Sequence, residues 1–136
     1  MSPDLTLALR IEASRGAVWR AITTPELVRS WFWPSWMKPR LECEARLGGR
    51  YRMTAVEPPL GLEGVVLAVE TGRRLRLSWR WDGEETSSYV DLELACDAQG
   101  ATRLTLAHRG LVGDALASHE QGWRDCLGRL SEHMET

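Results

Sequence analysis

The spacing of apolar residues changes once along this 136-residue chain, and that change fixes the class of fold. Apolar and polar residues alternate from Leu5 to Ile11 and again in several segments up to His108, which is the period of a half-buried β-strand. After Gly113 the apolar residues recur every three or four positions, which predicts a helix of about five to six turns. The chain is therefore predicted to be an α+β protein, in which one long helix covers a curved antiparallel sheet of about six to seven strands.

Two short helices are predicted after the first strand. Ser14 can cap a helix over Arg15–Thr23, because serine oxygens accept hydrogen bonds from free backbone N–H groups at a helix start. Thr24 and Pro25 then begin a second helix, since proline at the first helical position loses no hydrogen bond. Glu26 suits the positive end of that helix dipole.

Glycines mark two special places. Gly48 and Gly49 follow the alternating segment 41–47 and predict a hairpin turn. Gly64 lies inside the apolar run 61–70, where it predicts a bulge or bend.

The final helix carries an apolar stripe that predicts its orientation. Trp123 and Leu127 are expected to face the sheet, while Arg124 and Arg129 face solvent. Gly122 costs about 1 kcal/mol relative to alanine inside a helix, so we expect another backbone to approach it closely.

Composition excludes several classes of protein. The chain has 17 basic and 19 acidic residues, a net charge of −2, and no gathered basic excess, so we expect no nucleic-acid partner. Its apolar runs are all shorter than the roughly 20 residues that span a bilayer, so no membrane partner is expected. The N-terminus lacks the basic and apolar regions of a signal peptide, which favours a cytoplasmic protein. No linker is visible, and residues 1–136 are predicted to form a single domain.

The cysteines and histidines do not have the spacing of a metal site. Cys43, Cys96 and Cys126 lack a CxxC motif and are expected to be free thiols, the first two facing inward by strand alternation. His119 and His133 lack HExxH spacing and are assigned to surface or packing roles. Phosphate-loop and dinucleotide motifs are also missing from the sequence, so neither a metal nor a cofactor is expected.

Seven tryptophans against a single phenylalanine are the unusual part of the composition. Indoles are bulky and each carries one hydrogen-bond donor, so they either fill a core or line a cavity between the sheet and the long helix. A cavity of this kind suits a flat apolar ligand that has one or two polar groups. The candidate ligand-binding residues are Trp31, Trp36, Met53, Trp79, Trp81, His108 and Trp123.

His108 is the principal polar candidate in this set. It shares strand parity with Leu104 and Leu106 and should therefore point toward the interior. An imidazole there could orient a ligand or act as an acid or base. The alternative is a core histidine whose nitrogens are satisfied by neighbouring groups.

Five blocks resemble one known family. They are Val18–Leu27, Glu44–Tyr51, Leu75–Trp79, Thr102–Gly110 and Gly122-Trp123. In this order they are similar to the START-like helix-grip (SRPBCC) superfamily, in the branch homologous to the C-terminal domain of the heat-shock protein 90 ATPase activator. Glutamate at the start of the second block and leucine three residues later depart from the aspartate and proline that are commoner there.

The resemblance implies a helix-grip fold, and three functions stay open because this superfamily hosts many activities. The first is a domain that binds a small apolar molecule between the helix and the sheet. The second is a co-chaperone-like protein whose partner is another protein or a second copy of the chain. The third is a cyclase or hydro-lyase that uses the same cavity, with His108 as its acid or base. A polar cluster of two or more titratable groups beside His108 inside the cavity would favour this enzyme.

Overall fold

The computed structural model describes residues 4–44 and 46–135. The strands are β1 (Leu5–Ile11), β2 (Arg40–Cys43), β3 (Arg50–Ala55), β4 (Leu60–Glu70), β5 (Arg74–Trp81), β6 (Ser88–Cys96) and β7 (Thr102–Arg109). The helices are α1 (Arg15–Thr23), α2 (Pro25–Trp31) and α3 (Asp114–Glu135), and a short 3-10 turn covers Ser35–Met37. Ala45, which the sequence placed in a strand, lies outside the described residues.

The seven strands form one antiparallel sheet in the order β1-β7-β6-β5-β4-β3-β2. The first strand pairs with the last, so that Leu7 lies opposite Leu106 and both are buried. The helices cover the inner face of this sheet, which confirms the predicted α+β helix-grip architecture. None of the helices within residues 4–44 and 46–135 is long and apolar enough to span a membrane.

The short helices begin where the sequence predicts. Ser14 Oγ accepts a hydrogen bond from the backbone N–H of Ala17 at 3.2 Å and so caps α1. Thr24 precedes Pro25 at the start of α2, but its side chain makes no capping bond. The fixed φ of proline therefore does more for this start than the threonine hydroxyl does.

The register of α3 is as predicted for its apolar face. Trp123 and Leu127 are buried against the sheet and Arg124 is exposed. The prediction for Arg129 is wrong, because its guanidinium is half-buried and donates to the backbone oxygens of Trp31 and Phe32, at 2.9 and 2.7 Å. These oxygens are the unpaired acceptors at the C-terminal end of α2, where a cation is stabilising.

Gly64 lies where the sheet leaves no room for a side chain. A Cβ built on it would lie 1.9 Å from the backbone oxygen of Ser78 and 2.7 Å from the hydroxyl of Tyr51. Tyr51 pairs with Gly64 across the strands and donates to that same oxygen at 2.5 Å. The register shift in the β4–β5 ladder falls slightly later, between Val66 and Ala68. Gly64 is therefore needed chiefly because the neighbouring backbone lies so close, and less because of the bulge.

Replacing Gly64 by alanine is expected to destabilise the protein by about 2–3 kcal/mol, because the methyl group overlaps backbone rather than a movable side chain. Gly16 is the matched control, since a Cβ there meets only Arg20 Nη1 at 3.8 Å. Gly16→Ala is expected to be neutral or stabilising by up to about 1 kcal/mol in α1. Urea unfolding of both variants measures the difference, and equal midpoints would contradict this account.

All three thiols are free, as predicted, but their burial differs. Cys126 is buried and Cys43 is half-buried, whereas Cys96 is exposed. The inward prediction for Cys96 is wrong because this residue ends β6 beside the turn to β7, where strand alternation no longer buries side chains.

Candidate functional site

An apolar cavity of about 70 Å³ lies between the inner face of the sheet and the helices. Four of the predicted site residues line it, namely Trp31, Met53, Trp79 and Trp123. The volume is about half of the roughly 150 Å³ that accommodates benzene in an engineered apolar cavity. The indoles therefore fill most of the space under the long helix.

An open groove of about 410 Å³ adjoins this cavity, between α3 and the ends of β4 and β5. Phe32, Trp79 and Trp123 line both the groove and the cavity. Their ring centroids lie 5.0 to 5.9 Å apart, so the three side chains form an aromatic partition between the two spaces. The other groove residues are Trp33, Leu60, Trp81, Ser118, His119, Gly122 and Cys126.

His108 is fully buried, and both of its ring nitrogens are occupied. Trp123 Nε1 donates to its Nδ1 at 3.0 Å, and an indole nitrogen can only donate, so Nδ1 carries no proton. The proton is therefore on Nε2, which donates to Ser88 Oγ at 2.7 Å. The Ser88 hydroxyl in turn lies 3.4 Å from the backbone oxygen of Trp79.

This environment keeps the His108 imidazole neutral. Its pKa is lowered from 6.5 to about 3, chiefly by burial and also by the nearby His119, while Asp4 opposes the shift. His108 does not line the cavity or the groove. The position thus matches the core-histidine alternative, in which neighbouring groups satisfy both nitrogens.

His119 lines the groove and fixes the neighbouring lining residue Trp81. Its Nε2 accepts from Trp81 Nε1 at 2.9 Å, so its proton is on Nδ1, which donates to the backbone oxygen of Ala115 at 2.8 Å. Trp81 also stacks on Trp33, with ring planes 22° apart. From its sequence position, His119 is expected to have only a surface or packing role. Its i,i+4 spacing from the inward-facing Trp123 was the signal that places both on one helix face.

Trp79 has a buried donor without an acceptor. Among the described residues its Nε1 is one of two buried side-chain polar atoms that lack a hydrogen-bond partner, the other being Arg74 Nε. The indoles of Trp31, Trp81 and Trp123 all have acceptors, the first of these in the backbone oxygen of Ala21 at 2.9 Å. Trp79 is 5% exposed and lines both the cavity and the groove.

Trp36 lies outside the site, contrary to the expectation from sequence. It is 64% exposed and lines neither the cavity nor the groove. The reason is the 3-10 turn Ser35–Met37, in which Met37 takes the inward position. Phe32 and Trp33, which were not among the predicted ligand-binding residues, line the groove instead.

The charged residues near the sheet lie on its outer face. Asp91 is buried beneath Arg76 and Arg74, which donate hydrogen bonds to its carboxylate at 2.9 and 3.1 Å. Burial raises the pKa of this carboxyl, but the two arginines outweigh burial and hold it below its usual range. Within residues 4–44 and 46–135, no three His, Cys, Asp or Glu side chains gather in a way that could hold a metal ion.

A curved antiparallel sheet that holds a long helix over an apolar cleft defines a helix-grip protein of the START-like class. The profile of the family described as "Activator of Hsp90 ATPase homolog 1-like protein" matches residues 12–135. The chain therefore belongs to that family. No curated protein matches the sequence.

Several solved structures share this fold. DynU16, from the dynemicin biosynthetic locus, is 28% identical with a TM-score of 0.83 over 97% of this chain and 47% of its own, so the present chain spans about half of DynU16. CalU16 from Micromonospora echinospora is 26% identical, with a TM-score of 0.78 over 95% of this chain and 74% of its own. An Hsp90 activator from Plasmodium falciparum is 15% identical with a TM-score of 0.77, over 93% and 91% of the two chains, and shows the fold alone.

Proposed function

We propose that the chain is a small-molecule-binding domain whose apolar ligand occupies the groove beside α3. The observation that carries this proposal is the 410 Å³ groove, walled by aromatic side chains from α3, β5 and the segment after α2. Its volume falls within the roughly 300–1,000 Å³ of typical ligand pockets. The ring of a ligand in the groove can extend into the apolar cavity behind the aromatic partition if Phe32 or Trp79 changes rotamer.

The relatives support this proposal at the level of class. DynU16 is encoded in a biosynthetic locus, and a domain that binds a small molecule is consistent with that setting. The free thiols agree with the reducing cytoplasm that we propose as its location. The cyclase or hydro-lyase alternative loses its acid or base, since His108 is neutral and both of its nitrogens are bonded.

A second candidate function is binding of a protein partner. The family includes activators of the Hsp90 ATPase, which act on another protein. Trp36 and Val56 are 64% and 56% exposed, and the backbone N–H of Val56 donates to the oxygen of Met37 in the adjoining turn. A contiguous exposed apolar patch marks an interaction site, and these two side chains lie on neighbouring segments where a protein partner could cover both.

Gly122 provides a direct test of the groove proposal. It lies in α3 at the open side of the groove, and a Cβ built on it meets nothing within 4 Å. The predicted close backbone approach is therefore wrong, and the space above Gly122 is open. A side chain placed there would reach into the groove opening without straining the fold.

We expect Gly122→Leu to weaken binding of the apolar dye Nile red at least tenfold, because leucine obstructs the groove. The matched control is Gly128→Leu, since Gly128 lies on the same helix, has the same open space and does not line the groove. Both substitutions improve helix propensity by up to about 1 kcal/mol, so lower stability cannot explain a loss of binding. Dye fluorescence titrations give the dissociation constants, and similar values for both variants would refute the proposed location.

A further inference from the structure

The unpaired indole N–H of Trp79 is the one polar group of the aromatic partition that is not already used. Phe32 has no donor, and the N–H of Trp123 is bonded to His108. On the neighbouring wall, the N–H of Trp81 is bonded to His119. A buried donor without an acceptor destabilises the folded state, and a ligand that supplies the acceptor removes that cost.

The surroundings of Trp79 restrict what kind of acceptor can approach it. Apart from Thr23 in the cavity and Ser118 and His119 in the groove, the lining residues of both spaces are apolar or aromatic, and none is Asp, Glu, Lys or Arg. A carboxylate or phosphate would be desolvated there without a counter-charge, which is strongly unfavourable. A neutral carbonyl oxygen loses much less on transfer and accepts well from an indole N–H.

The same side chains also favour a particular ligand shape. Trp79 has ring neighbours on several sides, with Trp123 at 5.0 Å, Phe32 at 5.9 Å and Trp81 at 6.1 Å between centroids. Ring pairs at such distances gain energy from stacked or edge-to-face arrangements. A flat ring system can extend these arrangements, whereas a branched aliphatic group cannot.

We propose that Trp79 Nε1 determines ligand specificity, by donating a hydrogen bond to the neutral carbonyl oxygen of a flat, otherwise apolar ligand. This inference rests on the proposed function, because it requires a ligand that reaches the partition from the groove. It adds the chemical class of the ligand and the atom that recognises it. No covalent step is involved.

The test compares 1-indanone with indane, two flat bicyclic compounds that differ by the carbonyl group, as competitors of Nile red. Wild-type protein, Trp79→Phe and Trp19→Phe are titrated with each compound. Trp19 is the matched control, because it is a half-buried tryptophan on α1 that lines neither space. The ratio of the two dissociation constants is compared within each variant, so that any general effect of the smaller ring cancels.

We expect the preference for 1-indanone over indane to fall about tenfold in Trp79→Phe and to persist in Trp19→Phe. A preference that is unchanged in Trp79→Phe overturns this inference while leaving the proposed function intact. If Nile red and both compounds fail to bind wild-type protein, the proposed function falls and this inference falls with it.

A second measurement does not depend on the folding of Trp79→Phe. In wild-type protein carrying ¹⁵N-labelled indoles, 1-indanone is expected to shift the Trp79 N–H resonance downfield as the new hydrogen bond forms, and indane is not. That resonance is assigned by its through-space contacts to the rings of Trp123 and Phe32. A Trp79 signal that responds equally to both compounds contradicts the proposed hydrogen bond.

Discussion

Replacing Trp123 by alanine is expected to lower the free energy of unfolding by about 3–5 kcal/mol, as for other large buried aromatic residues. Trp123 is 5% exposed and lies between α3 and the sheet, in ring contact with Phe32, Trp79 and His108. Its removal takes away apolar contacts and leaves a void. It also leaves Nδ1 of the buried His108 without its donor, which adds a desolvation cost.

Two further substitutions separate these contributions. Trp123→Phe keeps an aromatic ring but loses the N–H, so it is expected to cost less than the alanine variant. Arg124→Ala changes the next residue, which is exposed and bonds Glu120 one turn away, and is expected to cost at most about 0.5 kcal/mol. Urea unfolding at neutral pH measures all three variants. A loss for Trp123→Ala no larger than for Arg124→Ala would show that the α3 register is wrong.

The fold was predictable from sequence because its signals are local and periodic. Alternation every second residue marks strands such as Leu5–Ile11, and the change of period after Gly113 marks the one long helix. The capping residue Ser14 and the proline at position 25 give the helix starts directly. Each of these signals depends on neighbours within a few residues, so tertiary contacts are not needed to interpret them.

The candidate site was only partly predictable, because which residue faces a cleft depends on distant parts of the chain. Strand alternation placed Trp79 and Trp81 correctly, and helical spacing placed Trp123 correctly, since each residue lies in regular structure. Trp36 lies in an irregular segment where parity has no meaning, and a single 3-10 turn moves it to the surface. His108 was placed inside correctly, but its Ser88 partner comes from a neighbouring strand 20 residues earlier.

The apolar spacing of a helix also does not predict which of its side chains donate hydrogen bonds to backbone oxygens of other elements. Arg129 lies at a position that the stripe of α3 assigns to solvent, yet α2 ends close by and exposes two acceptors to it. Gly122 shows the opposite case, in which a residue that lowers helix stability faces open space rather than a neighbouring backbone. In both cases the deciding neighbour is a surface or a helix end that only the assembled fold creates.

His108 is expected to make the protein acid-sensitive well above the pH at which its carboxylates titrate. Its pKa is about 3 in the folded protein, chiefly because of burial, and about 6.5 in the unfolded chain. Between these values the unfolded chain binds a proton that the native protein excludes, so stability falls as the pH is lowered from about 6.5 toward 3. The slope is about 1.4 kcal/mol per pH unit, which amounts to about 5 kcal/mol in all.

The contribution of His108 is isolated by comparing wild-type protein with His108→Gln in urea unfolding at pH 7, 5.5 and 4.5. Glutamine stays neutral, so this variant is expected to be less stable at pH 7 but to lose less stability on acidification. Carboxylates such as Asp91 are common to both proteins and cancel in the difference. Parallel pH profiles for wild type and His108→Gln would mean that the buried imidazole accepts a proton without opening the bonds to Trp123 and Ser88, and the neutral-core assignment would then be wrong.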